Sequence, residues 1–436
     1  MAKEEGSRRL LSSWKEVAAH LGCDKRTCYR WEKSLGLPVR RVEGASRSRV
    51  FAYADEIDRW RKERLGGGHG PEDRPAPKAV AKALPFVGLA SVGLVAAILF
   101  IPKLLTSRPP SDFHIRGAIL SVLDDKGREL WKYDTGLENL DDEAIYRAHF
   151  QFRRIGENWA GLLPYLVIKD LDADGHSEIL FSTQTQDEFN EGELICFGSE
   201  GDVRWRIKTG RAMRFGEEDF SADYRIHGFV VADLDGDERS EIVVDSVHRP
   251  NYPCQLLVLD HTGKTLGEYW NSGHFSDIVI YDLDGDGKPE IIGGGTNNEY
   301  RSGFLAVFKP DRIHGASPQS LDEYVCRGLE PGTQESYILL PRTDIDAVAI
   351  PQDAVGAIEV LKNDRISAVM LYSGVYYEFG FDFRTTEVRS GHRFEMLHAR
   401  AAAEGKVKSV ANEGYFKDLR DRIRFWGRNG WSTRPD

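Results

Sequence analysis

The sequence predicts a multidomain chain in three parts: a small basic helical domain, a single transmembrane helix and a large all-β repeat domain. Three observations predict it. Residues 1–65 carry 16 Lys/Arg against 10 Asp/Glu, whereas residues 106–436 carry 38 against 57. Between them, Ala83 to Pro102 is a run of 20 uncharged, mostly apolar residues. Beyond the run, one acidic pattern occurs three times between short β-branched segments. At 436 residues the chain exceeds one compact core. The boundaries expected are 1–65, a linker 66–82, a membrane span 83–105, a β-repeat domain 113–400 and a helical extension 401–436.

In the basic part, Ser12 or Ser13 can cap a helix from Trp14 to Leu21, and Gly22 allows the chain to turn. A second helix opens near Asp24 and places Lys25, Arg26, Thr27, Tyr29 and Arg30 where side chains reach phosphates and base edges. After Pro38, Arg40 and Arg41 stand on one arm of a hairpin and Arg47 and Arg49 on the other. A third helix begins near Asp55. Cys23 and Cys28 read as inward-facing core thiols. With Trp14-Lys15-Glu16-Val17-Ala18 and Val50-Phe51-Ala52-Tyr53, this segment resembles the winged helix-turn-helix of the MerR and excisionase type. The resemblance implies binding to double-stranded DNA through the nine residues just named. It departs from MerR regulators in lacking the long dimerising helix that normally follows.

The linker holds Gly66, Gly67, Gly68 and Gly70 and then Pro71, Pro75 and Pro77, with nothing apolar to bury. The apolar run that follows would cover ~30 Å as a helix, a bilayer core. Basic residues precede it and acidic sequence follows, so the N-terminus is expected on the cytoplasmic side of a bacterial inner membrane and the acidic domain outside. Gly93 and Ala97 would let two such helices approach, an expectation of a homodimer. No secretory signal is expected, and five cysteines are too few for a disulfide framework.

The acidic pattern places carboxylates at positions 1, 3, 5 and 9 of a nine-residue loop. They are Asp170, Asp172, Asp174 and Glu178; Asp233, Asp235, Asp237 and Glu241; and Asp282, Asp284, Asp286 and Glu290. Four carboxylates converging on one point suit a hard divalent cation with many oxygen ligands, and calcium is the expected occupant at two or three sites. The carbonyls of His176, Arg239 and Lys288 would complete the shell. An EF-hand is excluded, because its twelfth position would be Phe181, Val244 or Gly293 and the flanks read as strands. Glu238 stands where the other loops have Gly175 and Gly287, so the weakest site is expected in the second loop.

Between the loops a strand–turn–strand unit recurs, with Trp131, with Gly201 and Trp205, and with Gly263. Metal loops alternating with hairpins resemble FG-GAP or VCBS repeats, the integrin-like β-propeller family, with about five blades. That resemblance implies structural calcium, so no catalysis is expected and no catalytic residue is assigned. The partners expected are duplex DNA, the membrane and an extracytoplasmic ligand or protein. Together these readings make a membrane-anchored transcriptional regulator with an outside sensor. The alternative is a tether or adhesion scaffold whose helix-turn-helix holds a cytoplasmic protein.

Overall fold

A computed structural model describes residues 9–11, 13–23, 27–28, 31–32, 36–41, 50–65, 108–149, 163–185, 192–249, 252–348, 350, 352–384 and 386–435. The chain divides at Ala97 into two compact units. The expected linker 66–82 and membrane span 83–105 lie outside the described residues. Among the described residues no helix is long and apolar enough to cross a membrane.

In the first unit Ser13 is extended, and its hydroxyl accepts from Glu16 N to start the helix Trp14–Leu21. Gly22, at φ 69°, ends that helix in the left-handed conformation. The backbone is helical again at Thr27, Cys28, Trp31 and Glu32. Strands β1 (Leu10–Leu11) and β2 (Arg40–Arg41) flank β3 (Val50–Tyr53) in one antiparallel sheet, and the helix Ala54–Leu65 follows at once. Asp55 and Glu56 in its first turn favour that start. Val17, Leu21, Cys28, Ala52, Ile57 and Trp60 form the core.

The second unit is mostly β. Its sheets follow one another along the chain, and in each of them consecutive strands pair antiparallel. The first holds β4 (Asp112–Arg116), β5 (Ile119–Leu123) and β6 (Glu129–Asp134); the second holds β7 (Leu166–Lys169), β8 (Glu178–Ser182), β9 (Glu193–Phe197) and β10 (Val203–Lys208). A hairpin of β11 (Met213–Phe215) and β12 (Glu218–Phe220) precedes the third sheet. That sheet is β13 (Tyr224–Ala232), β14 (Glu241–His248), β15 (Cys254–Leu259) and β16 (Thr265–Asn271). The fourth is β17 (Gly273–Tyr281), β18 (Glu290–Asn297), β19 (Ser302–Phe308) and β20 (Ser336–Leu339), and the fifth is β21 (Val355–Leu361), β22 (Arg365–Met370), β23 (Val375–Gly380) and β24 (Thr386–Ser390).

Each sheet buries a face against the next. Phe113 and Val122 meet Ile179 and Phe197; Leu180 and Cys196 meet Ile242 and Val244; Leu256 and Tyr269 meet Phe275 and Phe304; Ile292 and Leu305 meet Val355 and Ile358. First strands also touch in turn, as where Asp277 on β17 accepts from Ile358 N on β21 at 2.7 Å. Residues 401–436 differ from the helical extension expected. The helix there ends at Asp421, and β25 (Arg424–Gly427) and β26 (Gly430–Ser432) extend the fourth sheet beyond β20. Ile423 and Phe425 are both buried, and that alternation favours a strand over another helical turn. Cys196, Cys254 and Cys326 are buried free thiols.

The recurring tryptophan is a joint between sheets. Trp131 of the first donates from Nε1 to Ser199 O of the second, and Trp205 of the second donates to His261 O of the third, each at 3.0 Å. Gly201 and Gly263 sit against those rings, where a Cβ would come within 2.7 Å of a ring carbon, and both have φ above 80°. Gly263→Ala therefore combines a clash with backbone strain and should cost ~1–3 kcal/mol, read as a lower urea midpoint. Alanine at exposed Lys126 should leave the midpoint unchanged.

Candidate functional site

Each acidic loop joins the first two strands of a sheet, β7 to β8, β13 to β14 and β17 to β18. All three close in the same way. The ninth-position glutamate accepts the backbone N–H of the second residue at 2.8 Å: Leu171 to Glu178, Leu234 to Glu241 and Leu283 to Glu290. The first aspartate accepts from the sixth residue at 3.0 Å, and the fifth caps the seventh at 2.7 to 2.8 Å. Folding thus carries Glu178, Glu241 and Glu290 inside, where they are 1%, 6% and 3% exposed. One oxygen each from Asp170, Asp172 and Glu178 lies within 4.8 Å of the others, and the same holds for Asp233, Asp235 and Glu241 and for Asp282, Asp284 and Glu290. This clustered, all-oxygen donor set fits a hard divalent ion. Asp174, Asp237 and Asp286 stand outside the tight groups, each with one oxygen committed to its turn.

The fourth and sixth residues of every loop are left-handed. Glycine serves at both in the third loop, but Ala173 has φ 60° in the first and Glu238 has φ 73° in the second. Backbone strain therefore does not single out the second loop.

What distinguishes the loops is a side-chain cation. Arg204 reaches Asp172 at 2.9 Å and Glu178 at 3.0 Å in the first loop. Lys309 reaches Asp284 at 2.7 Å and Glu290 at 2.5 Å in the third. Asp284 and Glu290 raise the Lys309 ammonium, and Lys309 in turn lowers Asp284. Among the described residues, no ion pair reaches Asp233, Asp235, Asp237 or Glu241. Lys169 feels Asp233 and Glu241 at longer range but donates to Val231 O at 3.3 Å. Burial pushes Glu241 up to about 7, reinforced by Asp235, Asp237 and Asp233.

Strand register explains the difference. Phe308 pairs with Ile291 in the fourth sheet and Leu259 with Ile242 in the third, so Asp260 occupies the position of Lys309. In the second and third sheets, Arg204 and Leu266 are the extra residues at equivalent bulges. The second loop thus faces Asp260 and an exposed leucine in place of a cation. Among the described residues it is the one loop of the three with no ion-paired cation. No spacing in the sequence marks Arg204 or Lys309, because their role depends on cross-strand register.

Of the residues expected to touch DNA, Lys25, Arg26, Tyr29, Arg30, Arg47 and Arg49 lie outside the described residues. Thr27 is helical and half-buried, and Arg41 is in β2. Arg40 binds Glu56 through both guanidinium ends, at 2.7 and 3.1 Å, and lies over the Tyr53 ring. Its side chain nonetheless remains 48% exposed. Cys23 Sγ and Cys28 Sγ lie 3.4 Å apart in the same core.

No family model matches the chain, and no curated protein matches it. Among solved structures it is similar to the exotype rhamnogalacturonan lyase YesX, with 15% identity and a TM-score of 0.30, over 61% of this chain and 47% of that one. It is also similar to the rhamnogalacturonan lyase YesW, with 14% identity and a TM-score of 0.29, over 56% and 55%. The Dos1 propeller gives 8% identity and a TM-score of 0.29, over 62% and 63%. The chain thus spans about half the length of the two lyases. These likenesses correct one expectation, that the chain is not an enzyme: two of the similar structures are enzymes, and the expectation is dropped. At such scores no activity passes from them to this chain.

Two results follow from the loops. By calorimetric titration with calcium, Leu266→Arg should weaken binding at the second loop by roughly tenfold or more, since it puts a guanidinium where Arg204 stands in the second sheet. Arg204→Leu should strengthen binding at the first. Separately, a carboxyl raised in the folded state stabilises below its unfolded value and loses that contribution as pH climbs through the folded one. Without metal, stability should therefore fall as pH rises from 4.5 to about 7, and Glu241→Gln should flatten that slope.

Proposed function

We propose that the chain is a membrane-anchored DNA-binding regulator whose large unit is a calcium-stabilised, FG-GAP-like β-propeller that senses a signal outside the membrane. One observation carries the reading: residues 1–65, with net charge +6, and residues 106–436, with net charge −19, flank the uncharged run Ala83 to Pro102. A basic helical unit suits a polyanion, and an acidic unit with oxygen-rich loops suits cations. The helix, left-handed glycine, second helical segment and paired strands of the first unit support a winged helix-turn-helix. Five consecutive meanders packed face to face support the propeller. The oxygen-only donors support calcium in a structural role, with the second loop filling first.

The second reading is a tether whose basic unit grips a cytoplasmic protein. Genome-wide footprinting of the tagged full chain in its host separates the two. Discrete promoter sites that disappear in Arg30→Ala are expected of the regulator; no enrichment over an untagged control contradicts it. The orientation is checked in spheroplasts, where added protease should remove the acidic unit and leave residues 1–65 protected.

A further inference from the structure

At the strand ends opposite the acidic loops lies a cavity of ≈ 490 Å³, within the ~300–1,000 Å³ usual for small-molecule sites. Phe220 of β12, His248 at the end of β14, Tyr252, His274 near the start of β17, Asn298 after β18 and Gln352 before β21 line it. Its deep polar wall has a fixed polarity. Thr296 Oγ1 donates its proton to a backbone carbonyl, Asp353 O at 3.0 Å or Ser302 O at 3.3 Å, so it offers Gln352 a lone pair. Gln352 Nε2 therefore donates, to Thr296 Oγ1 at 2.9 Å and to Asn298 Oδ1 at 2.8 Å. That leaves Gln352 Oε1 free to accept and Asn298 Nδ2 free to donate, on two neighbouring residues that line the cavity. Burial, with His227 and Arg225 nearby, lowers His274 to about 4, so it is neutral at pH 7 and both donates and accepts. On the other wall Phe220 and Tyr252 meet edge to face at 5.2 Å.

Glu218, Asp219 and Arg249 also line the cavity, so it carries charge of both signs. Paired donors and acceptors beside aromatic rings match a molecule with adjacent hydroxyls and an apolar C–H face. We propose that this cavity binds a neutral saccharide, with Gln352 and Asn298 engaging adjacent hydroxyls and Phe220 and Tyr252 supplying the apolar contact. The inference names a ligand class for the sensing unit, and it stands whether or not the first unit reaches DNA.

The test is saturation-transfer NMR on the purified full chain with methyl glycosides of glucose, galactose, mannose and xylose. Transfer to at least one glycoside is expected. It should fall at least tenfold in Asn298→Ala and in Gln352→Ala and persist in Lys126→Ala, with all three variants melting cooperatively. If a variant fails to melt cooperatively, Glu218→Gln in the same lining replaces it and should lower the transfer; unchanged transfer then overturns the proposal. Absence of transfer to all four, equal transfer in the cavity variants, or transfer to tetramethylammonium alone overturns the proposal.

Discussion

Three glutamates buried at the start of second strands are the constraint on which the large unit depends. Glu178, Glu241 and Glu290 each fasten a nine-residue loop by accepting a backbone N–H, and that bond carries a carboxylate out of water. A buried charge without a counter-charge is costly, so each loop needs something positive or a proton. The chain answers in three ways. A guanidinium on β10 serves the first loop, an ammonium after β19 serves the third, and in the second burial holds the carboxyl up at about 7.

The same loops aim the rest of the architecture. They place the acidic clusters at one end of the sheets and leave the other end to the turns that form the cavity. The tryptophan joints hold consecutive sheets in register, so the backbone that positions Asp233 and Glu241 is also the backbone that brings His248 beside His274 and Gln352. One end is strongly charged and needs neutralising. The other has mixed polarity, with its hydrogen-bond directions set by Thr296.

Much of the large unit was legible in the sequence because its signals are local. Carboxylate spacing marks the loops, β-branched triplets mark their flanking strands, and Gly201, Gly263, Trp131 and Trp205 mark the hairpins. Local signals also found Glu238 as a left-handed residue, but they passed over Ala173, whose side chain is small enough to attract no notice. What was not legible depends on partners distant in sequence. Arg204 and Lys309 matter through cross-strand register, β25 was taken for helix because Tyr415 to Trp426 keeps a helical rhythm past Asp421, and the cavity draws residues from β12 to Gln352. The DNA-binding residues were named from spacing and resemblance, and most lie outside the described part of the chain.

The second loop, which has no ion-paired cation among the described residues, should be the one that takes a metal first. The most direct measurement is an anomalous difference map from crystals of the full chain grown with limiting strontium as a calcium substitute. The strongest peak is expected among Asp233, Asp235 and Glu241, with Arg204 and Lys309 still seated in their own loops. A peak at the first or third loop with none at the second, or no peak at any of them, would contradict it.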